Sequence, residues 1–182
     1  GLAAAIFLQQ RGHSVLLIEG KDQVGGGLRT SELTLPGFHH DICSAIHPMA
    51  IHSPFLSSLP LTEFGLEYIH PAIAAAHPFD GGNAAYVTNS IGDTAKTLGK
   101  DEQVYLDLIG PVVEDWPLII DNILGPLRFP RHPFKLARFG LKALRSASAI
   151  ANKFSTKEGK GLWAGMAAHS IQPLTNVSTA AI

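Results

Sequence analysis

Cysteine is almost absent from this sequence: Cys43 is the single one in 182 residues. That excludes an internal disulfide and a thiolate metal cluster, and it favours a reducing compartment. Long apolar runs are absent too. No stretch approaches the roughly 20 residues that a membrane-spanning helix needs, and no basic-then-apolar signal segment precedes the first expected helix. The chain is therefore expected to be cytoplasmic, either soluble or peripheral to a membrane. Acidic residues are scarce in one region only. Residues 1–127 carry 5 Lys and Arg against 14 Asp and Glu, whereas residues 128–182 carry 9 against 1, so the net charge of −1 hides a balance of −9 followed by +8. No nucleic-acid partner is expected from that basic third, because Trp163 is the only Trp or Tyr near it and no recognition motif accompanies it. An initiating Met and an N-cap are missing as well: Gly1 opens directly into LAAAIFLQQ, and NVSTAAI ends without a terminating signal. An excised or incomplete chain is the expectation.

What is present suits a globular fold. With 46% apolar and 16% charged residues, the chain is long enough for one substantial core, or one domain and part of another. Residues 2–11 are rich in helix formers, and Gly12 is placed to end that helix in a left-handed cap. Residues 14–19, SVLLIE, form a continuous apolar run of the kind that makes a strand buried on both faces of a parallel sheet. Helix, glycine and buried strand make the second half of a βαβ unit, whose first strand is expected upstream of Gly1. SELTLPGFHHDI alternates like short strands bent at Pro36-Gly37. SPFLSSLP suits a short helix with Ser53 as N-cap and Pro54 at its first position. LEYIHP and IAAAHPF suggest strands, and FDGGNAAYV a hairpin with a glycine-dependent turn. After Ser90 helices are expected at 91–98, at 101–123 with Pro111 and Pro117 kinking or dividing it, and near 133–146 and 156–169. An α/β fold follows, with a first domain over 1–88 and a mainly helical second part over 89–182.

Glu19 and the glycines that follow it carry the first chemical signal. In a dinucleotide-binding βαβ unit, glycines at the first strand-to-helix turn let the backbone approach the pyrophosphate, whose charge sits at a helix N-terminus. An acid at the end of the second strand, about 20 residues on, accepts hydrogen bonds from the adenosine ribose. Glu19 lies 18 positions after Gly1, so Gly1 fits the last glycine of such a fingerprint. An acid after a strand is more often a solvated turn residue, but Gly25, Gly26 and Gly27 change that balance. Three successive residues without Cβ carry a large chain-entropy cost and mark a turn or a close ligand approach, and their amides are suited to line an anion-binding concavity. The plain alternative is a flexible surface loop.

GLAAAIFLQQRGHSVLLIE, then VGGGLRT, then LTLPGFHHDICSAIHP resembles the N-terminal region of the phytoene-desaturase-like FAD-dependent oxidoreductases, relatives of the flavin amine oxidases. The resemblance covers about the first 90 residues. In it the last fingerprint glycine matches Gly1, the ribose acid matches Glu19, and the second glycine motif, usually Gly-Gly-Arg-x-x-Thr, matches Gly25, Gly26 and Thr30. Gly27 stands where that family often has arginine, with Arg29 two positions on, which leaves open whether Arg29 takes over the phosphate contact. The resemblance implies a Rossmann-like FAD/NAD(P)-binding domain lacking its first strand, followed by a mostly helical part of a substrate domain. It implies extended FAD with its adenosine end at Glu19 and its pyrophosphate near Gly1 and the 25–27 loop. It also puts Asp41, Ser44 and His47 in the flavin and substrate neighbourhood, with His47 as the candidate proton carrier. A loop histidine bonded to its neighbours is the alternative for His47. A Glu at the strand end disfavours a 2′-phosphate and hence NADPH at this site.

Nine histidines invite a metal, but His39 and His40 are strand neighbours pointing to opposite faces, and no His-x-x-x-His pair exists. No metal is expected. Residues 134–145, FKLARFGLKALR, place Lys135, Arg138, Lys142 and Arg145 on one helical face. The plain reading is a solvated face; a peripheral contact with an anionic membrane is the alternative, and suits a lipid-dissolved substrate.

Taken together, the residues and the resemblance favour an FAD-dependent dehydrogenase, desaturase or isomerase for an apolar, polyene-like substrate, with the chain by itself expected to be inactive and to hold FAD weakly. A truncated or degenerate FAD-like domain serving as a binding module is the alternative. A NAD-dependent dehydrogenase ranks third, because the glycine triplet after the ribose acid suits flavin families better.

Overall fold

The computed structural model describes residues 1–181. They fall into two compact units, Gly1–Leu66 and the chain from Glu67 onward.

The first unit opens with helix α1 (Leu2–Gln9). Gly12, at φ +81°, ends it as expected. Its N–H donates to the Gln9 carbonyl at 2.9 Å and that of His13 to the Leu8 carbonyl at 3.2 Å, the paired bonds of a left-handed helix terminus. Residues 14–19 do not form the expected buried strand: no strand is assigned there, and Leu16 and Ile18 are 83% and 80% exposed. A strand of a parallel sheet takes its hydrogen bonds from neighbouring strands and its burial from layers on both faces. Among the described residues nothing pairs with this run, so its apolar sequence is left in solvent. The sheet that does form is antiparallel, β1 (Thr30–Glu32) with β2 (His39–Asp41), in the register Thr30↔Asp41, Ser31↔His40, Glu32↔His39. Pro36 and Gly37 make its turn as expected, with Gly37 at φ +83° and the Phe38 N–H donating to Leu35 at 3.1 Å. A short helix, α2 (Pro48–Ile51), follows. The short helix expected to start at Ser53 and Pro54 forms only as the 3₁₀ turn Leu56–Ser58, capped at Phe55, with the Ser53 hydroxyl accepting from the Leu56 N–H at 3.3 Å. No residue of this unit is fully buried.

The second unit holds the core. The expected strand at LEYIHP is not formed, but the expected hairpin is, from β3 (Ile73–Pro78) and β4 (Ala84–Thr88), turning through Gly81 and Gly82. Helix α3 (Ile91–Thr97) starts at Ser90, whose hydroxyl accepts from the Asp93 N–H at 3.2 Å. The 22-residue helix α4 (Glu102–Ile123) runs undivided through Pro111 and Pro117. Proline at 111 supplies no amide for the Asp107 carbonyl. The Lys142 ammonium reaches that carbonyl at 3.4 Å and the Leu108 carbonyl at 3.1 Å. Lys142 comes from α5 (Pro133–Ala143), which is followed by α6 (Ala147–Ala151) and α7 (Lys157–Ala167).

Two glycines of α7 explain why the hairpin joins the helices, whereas the sequence groups residues 67–88 with the first domain. A Cβ at Gly161 would stand 2.5 Å from the Phe79 ring, and one at Gly165 would overlap the His77 imidazole. The helix surface is therefore flat enough for β3 to lie against it. Leu108, Ile150, Phe154, Trp163 and Ala167 form one apolar cluster and Ala85, Leu98 and Leu162 another, with Tyr105 packed against both. Phe154 and Trp163 stack at 6.4 Å between ring centroids, and the Trp163 indole donates to the Ala147 carbonyl at 3.0 Å.

A buried carboxylate fixes where α7 begins. Asp101, 1% exposed, accepts from the backbone N–H and the hydroxyl of both Ser155 and Thr156, at 2.5–2.8 Å. Burial by itself would raise its pKa, but the four hydrogen bonds outweigh burial and hold it at about 2. Thr156 also accepts from the Gly159 N–H at 3.0 Å, so the helix cap and the carboxylate share one hydroxyl.

Candidate functional site

The glycine loop of the first unit is closed by a four-residue turn, with the Leu28 N–H donating to the Gly25 carbonyl at 2.8 Å. Gly25 lies at φ +116° and Gly26 at φ +59°. A Cβ at Gly25 would meet the Leu28 carbonyl oxygen at 2.5 Å, so only glycine fits this turn. Beside Gly26 the space is open within 4 Å. The amides of Gly25, Gly26 and Gly27 donate to no acceptor among the described residues, leaving three consecutive donors available to a ligand. The Arg29 Nε donates to the Gly26 carbonyl at 2.8 Å, which brings the guanidinium to the same loop.

The β1–β2 ladder continues past its strands and ties this loop to the segment after β2. The Ile42 N–H donates to Arg29 at 2.8 Å, and the Ser44 N–H to Gly27 at 3.0 Å. Thr30 Oγ1 donates to Asp41 Oδ1 at 3.0 Å across the ladder. Ser44 Oγ and His47 Nδ1 stand 3.4 Å apart, both half-buried. The fold thus groups Gly25, Gly26, Gly27, Arg29, Thr30, Asp41, Ser44 and His47 along one hairpin. Cys43 joins them without having been singled out from the sequence: a Cβ on Gly27 would lie 3.8 Å from its sulfur. Gly1 and Glu19 stand apart from that hydrogen-bonded group. Gly1 accepts from the Ala5 N–H at the start of α1 and lies beside Leu17. Exposed Glu19 accepts from the Lys21 N–H at 3.0 Å, which leaves its carboxylate further lone pairs for a ligand hydroxyl.

His39 and His40 alternate as strand neighbours do. His39 faces Glu32 at 4.0 Å, and His40 meets the Thr34 hydroxyl at 2.9 Å. Among the described residues no group of three or more His, Cys, Asp or Glu is arranged to hold a metal ion, and no helix is long and apolar enough to cross a membrane.

The basic face is solvated in part, as the plain reading has it, and also paired. Lys135 donates to Asp115 of α4 at 2.6 Å, and Arg138 donates to the same carboxylate, whose side chain is 3% exposed. These bonds lower the Asp115 pKa, that from Lys135 first. With Lys142 on the α4 carbonyls, three of the four cations serve the helix pair, while Phe134, Leu141 and Leu144 are exposed. The periodicity is as expected and the basic face stays partly solvated, with the Lys135 and Arg138 side chains 40% and 48% exposed, but it also meets α4, which offers a carboxylate and the carbonyl that Pro111 leaves without an amide.

Residues 1–57, about the first third of the chain, match the family model of the NAD(P)-binding Rossmann-like domain. That match is consistent with a dinucleotide-binding oxidoreductase, and it covers both Glu19 and the glycine loop. No curated protein and no solved structure matches the chain.

Proposed function

We propose that this chain belongs to an FAD-dependent oxidoreductase of the phytoene-desaturase-like kind, acting on an apolar substrate. The observation that carries the reading is the set of three unpartnered amides at residues 25–27 with the Arg29 guanidinium held against them. Backbone donors without Cβ atoms, joined by a cation, suit a pyrophosphate. Glu19 would accept from the ribose, and a carboxylate there repels a 2′-phosphate, which favours FAD or NAD over NADP. When bound, the flavin supplies the two-electron chemistry. The residues of this chain hold the phosphates, orient the ribose and, through Ser44 beside His47, keep an imidazole in a fixed position where it can carry a proton.

Protein expressed from the complete reading frame tests the reading by what it carries through purification. Heat-released FAD at about one per chain is the expected result. A colourless protein that gains no FAD on titration would favour a non-catalytic binding module instead.

A further inference from the structure

The second unit contains an apolar recess of about 130 Å³ where its two core clusters meet. We propose that this recess binds a small uncharged aromatic or branched alkyl group, held among Val87, Tyr105, Ile109, Phe154, Trp163 and Met166, with the Tyr105 hydroxyl as its one polar contact. The inference concerns a different unit from the glycine loop and stands independently of the cofactor.

Size and lining define the ligand class. The recess opens to solvent, and its volume is close to the roughly 150 Å³ of an apolar cavity that accepts benzene, so it has room for one ring or a short branched chain. No charged side chain lines the recess, so an anion or a cation entering it would lose its hydration without a partner. Two of the lining residues carry a strong side-chain hydrogen-bonding group, and the two groups differ in availability. The Trp163 indole N–H is already committed to the Ala147 carbonyl at 3.0 Å. The Tyr105 hydroxyl has no hydrogen-bond partner among the described residues. Burial raises its pKa, so at neutral pH it remains a protonated phenol able to donate or accept. One hydrogen bond plus apolar contact describes a ring or branched chain bearing a single oxygen or nitrogen.

The test is titration of the full-length protein with toluene, p-cresol and benzoate, followed through the Trp163 indole resonance in ¹H–¹⁵N spectra. Saturable shifts with toluene and p-cresol, and none with benzoate, are expected. Val87→Phe, which fills the recess from β4, should abolish both; Ile109→Phe fills it from α4 should the first variant fail to fold. Tyr105→Phe should weaken p-cresol about fivefold, the equivalent of one ordinary hydrogen bond of about 1 kcal/mol, and leave toluene unchanged. Absence of saturable toluene binding, benzoate binding as well as toluene, or full binding in a folded Val87→Phe protein would each overturn the proposal. None of these outcomes depends on whether FAD is bound, so the cofactor reading fails or holds separately.

Discussion

Arg29 Nε donates to the Gly26 carbonyl at 2.8 Å, inside the turn whose amides are left without acceptors. The bond holds a half-buried side chain at the loop, and it uses one guanidinium donor while leaving the rest for a phosphate. Arg29→Ala should therefore weaken FAD binding by roughly tenfold or more, the size of one charge-assisted hydrogen bond. Arg29→Lys should recover part of the loss, because the charge returns without the fork. Flavin fluorescence titration of the three proteins reads both effects.

Gly25 gives a backbone test of the same loop. At φ +116°, with the Leu28 carbonyl 2.5 Å from any added Cβ, Gly25→Ala cannot keep the turn. FAD affinity should fall, while the melting temperature changes little, because this unit holds no fully buried residue. Gly26→Ala meets nothing within 4 Å but keeps a left-handed φ of +59°, so it shows the backbone cost without the clash and should lose less FAD affinity than Gly25→Ala.

Asp101 sets a pH dependence of stability. Its folded pKa of about 2 lies below the ordinary 3.8, so its contribution is fully present above about pH 4 and is lost as the pH falls towards 2. The unfolding midpoint should drop across that window. Asp101→Asn should remove that part of the slope and destabilise the protein at neutral pH by roughly 2–3 kcal/mol, since an amide cannot accept from all four donors. Thermal unfolding of both proteins from pH 2 to 7 is the measurement.

Gly165 tests why the hairpin lies on α7. Gly165→Ala would drive a methyl into the His77 ring, and overpacking of this kind costs roughly 1–3 kcal/mol. A double variant with His77→Ala should recover much of the loss, because the methyl then has room. Chemical denaturation of the single and double variants separates this contact from a general effect on the helix.

Local signals were legible where a single residue's chemistry decides the backbone. Gly12, Pro36-Gly37, Ser90 and the 81–82 turn all act as their residue types imply. Residues 14–19 were misleading because a buried-strand pattern states what the run needs, not what is available to pair with it. The partners of the basic face were hidden for a similar reason: the acid it meets, Asp115, lies 20 positions before Lys135, and periodicity carries no information about partners. Helix α6 escaped because ASAIA is too short to show a period. Of the site, the glycines and Thr30–Asp41 were visible as a motif, whereas the place of Cys43 beside Gly27 depends on the ladder extending beyond β1 and β2. The recess around Tyr105 had no signal distinct from ordinary core, since its aromatic and aliphatic residues sit at the spacings any packed helix shows.

The most direct test is a comparative titration of FAD, NAD⁺ and NADP⁺ into protein expressed from the complete reading frame, with Arg29→Ala alongside. Saturation by FAD at one per chain, weakened in the variant, with NADP⁺ failing to compete, is the predicted result. Binding of NADP⁺ in preference to FAD, or FAD binding untouched by Arg29→Ala, would contradict the assignment of the glycine loop and Arg29 to a flavin pyrophosphate.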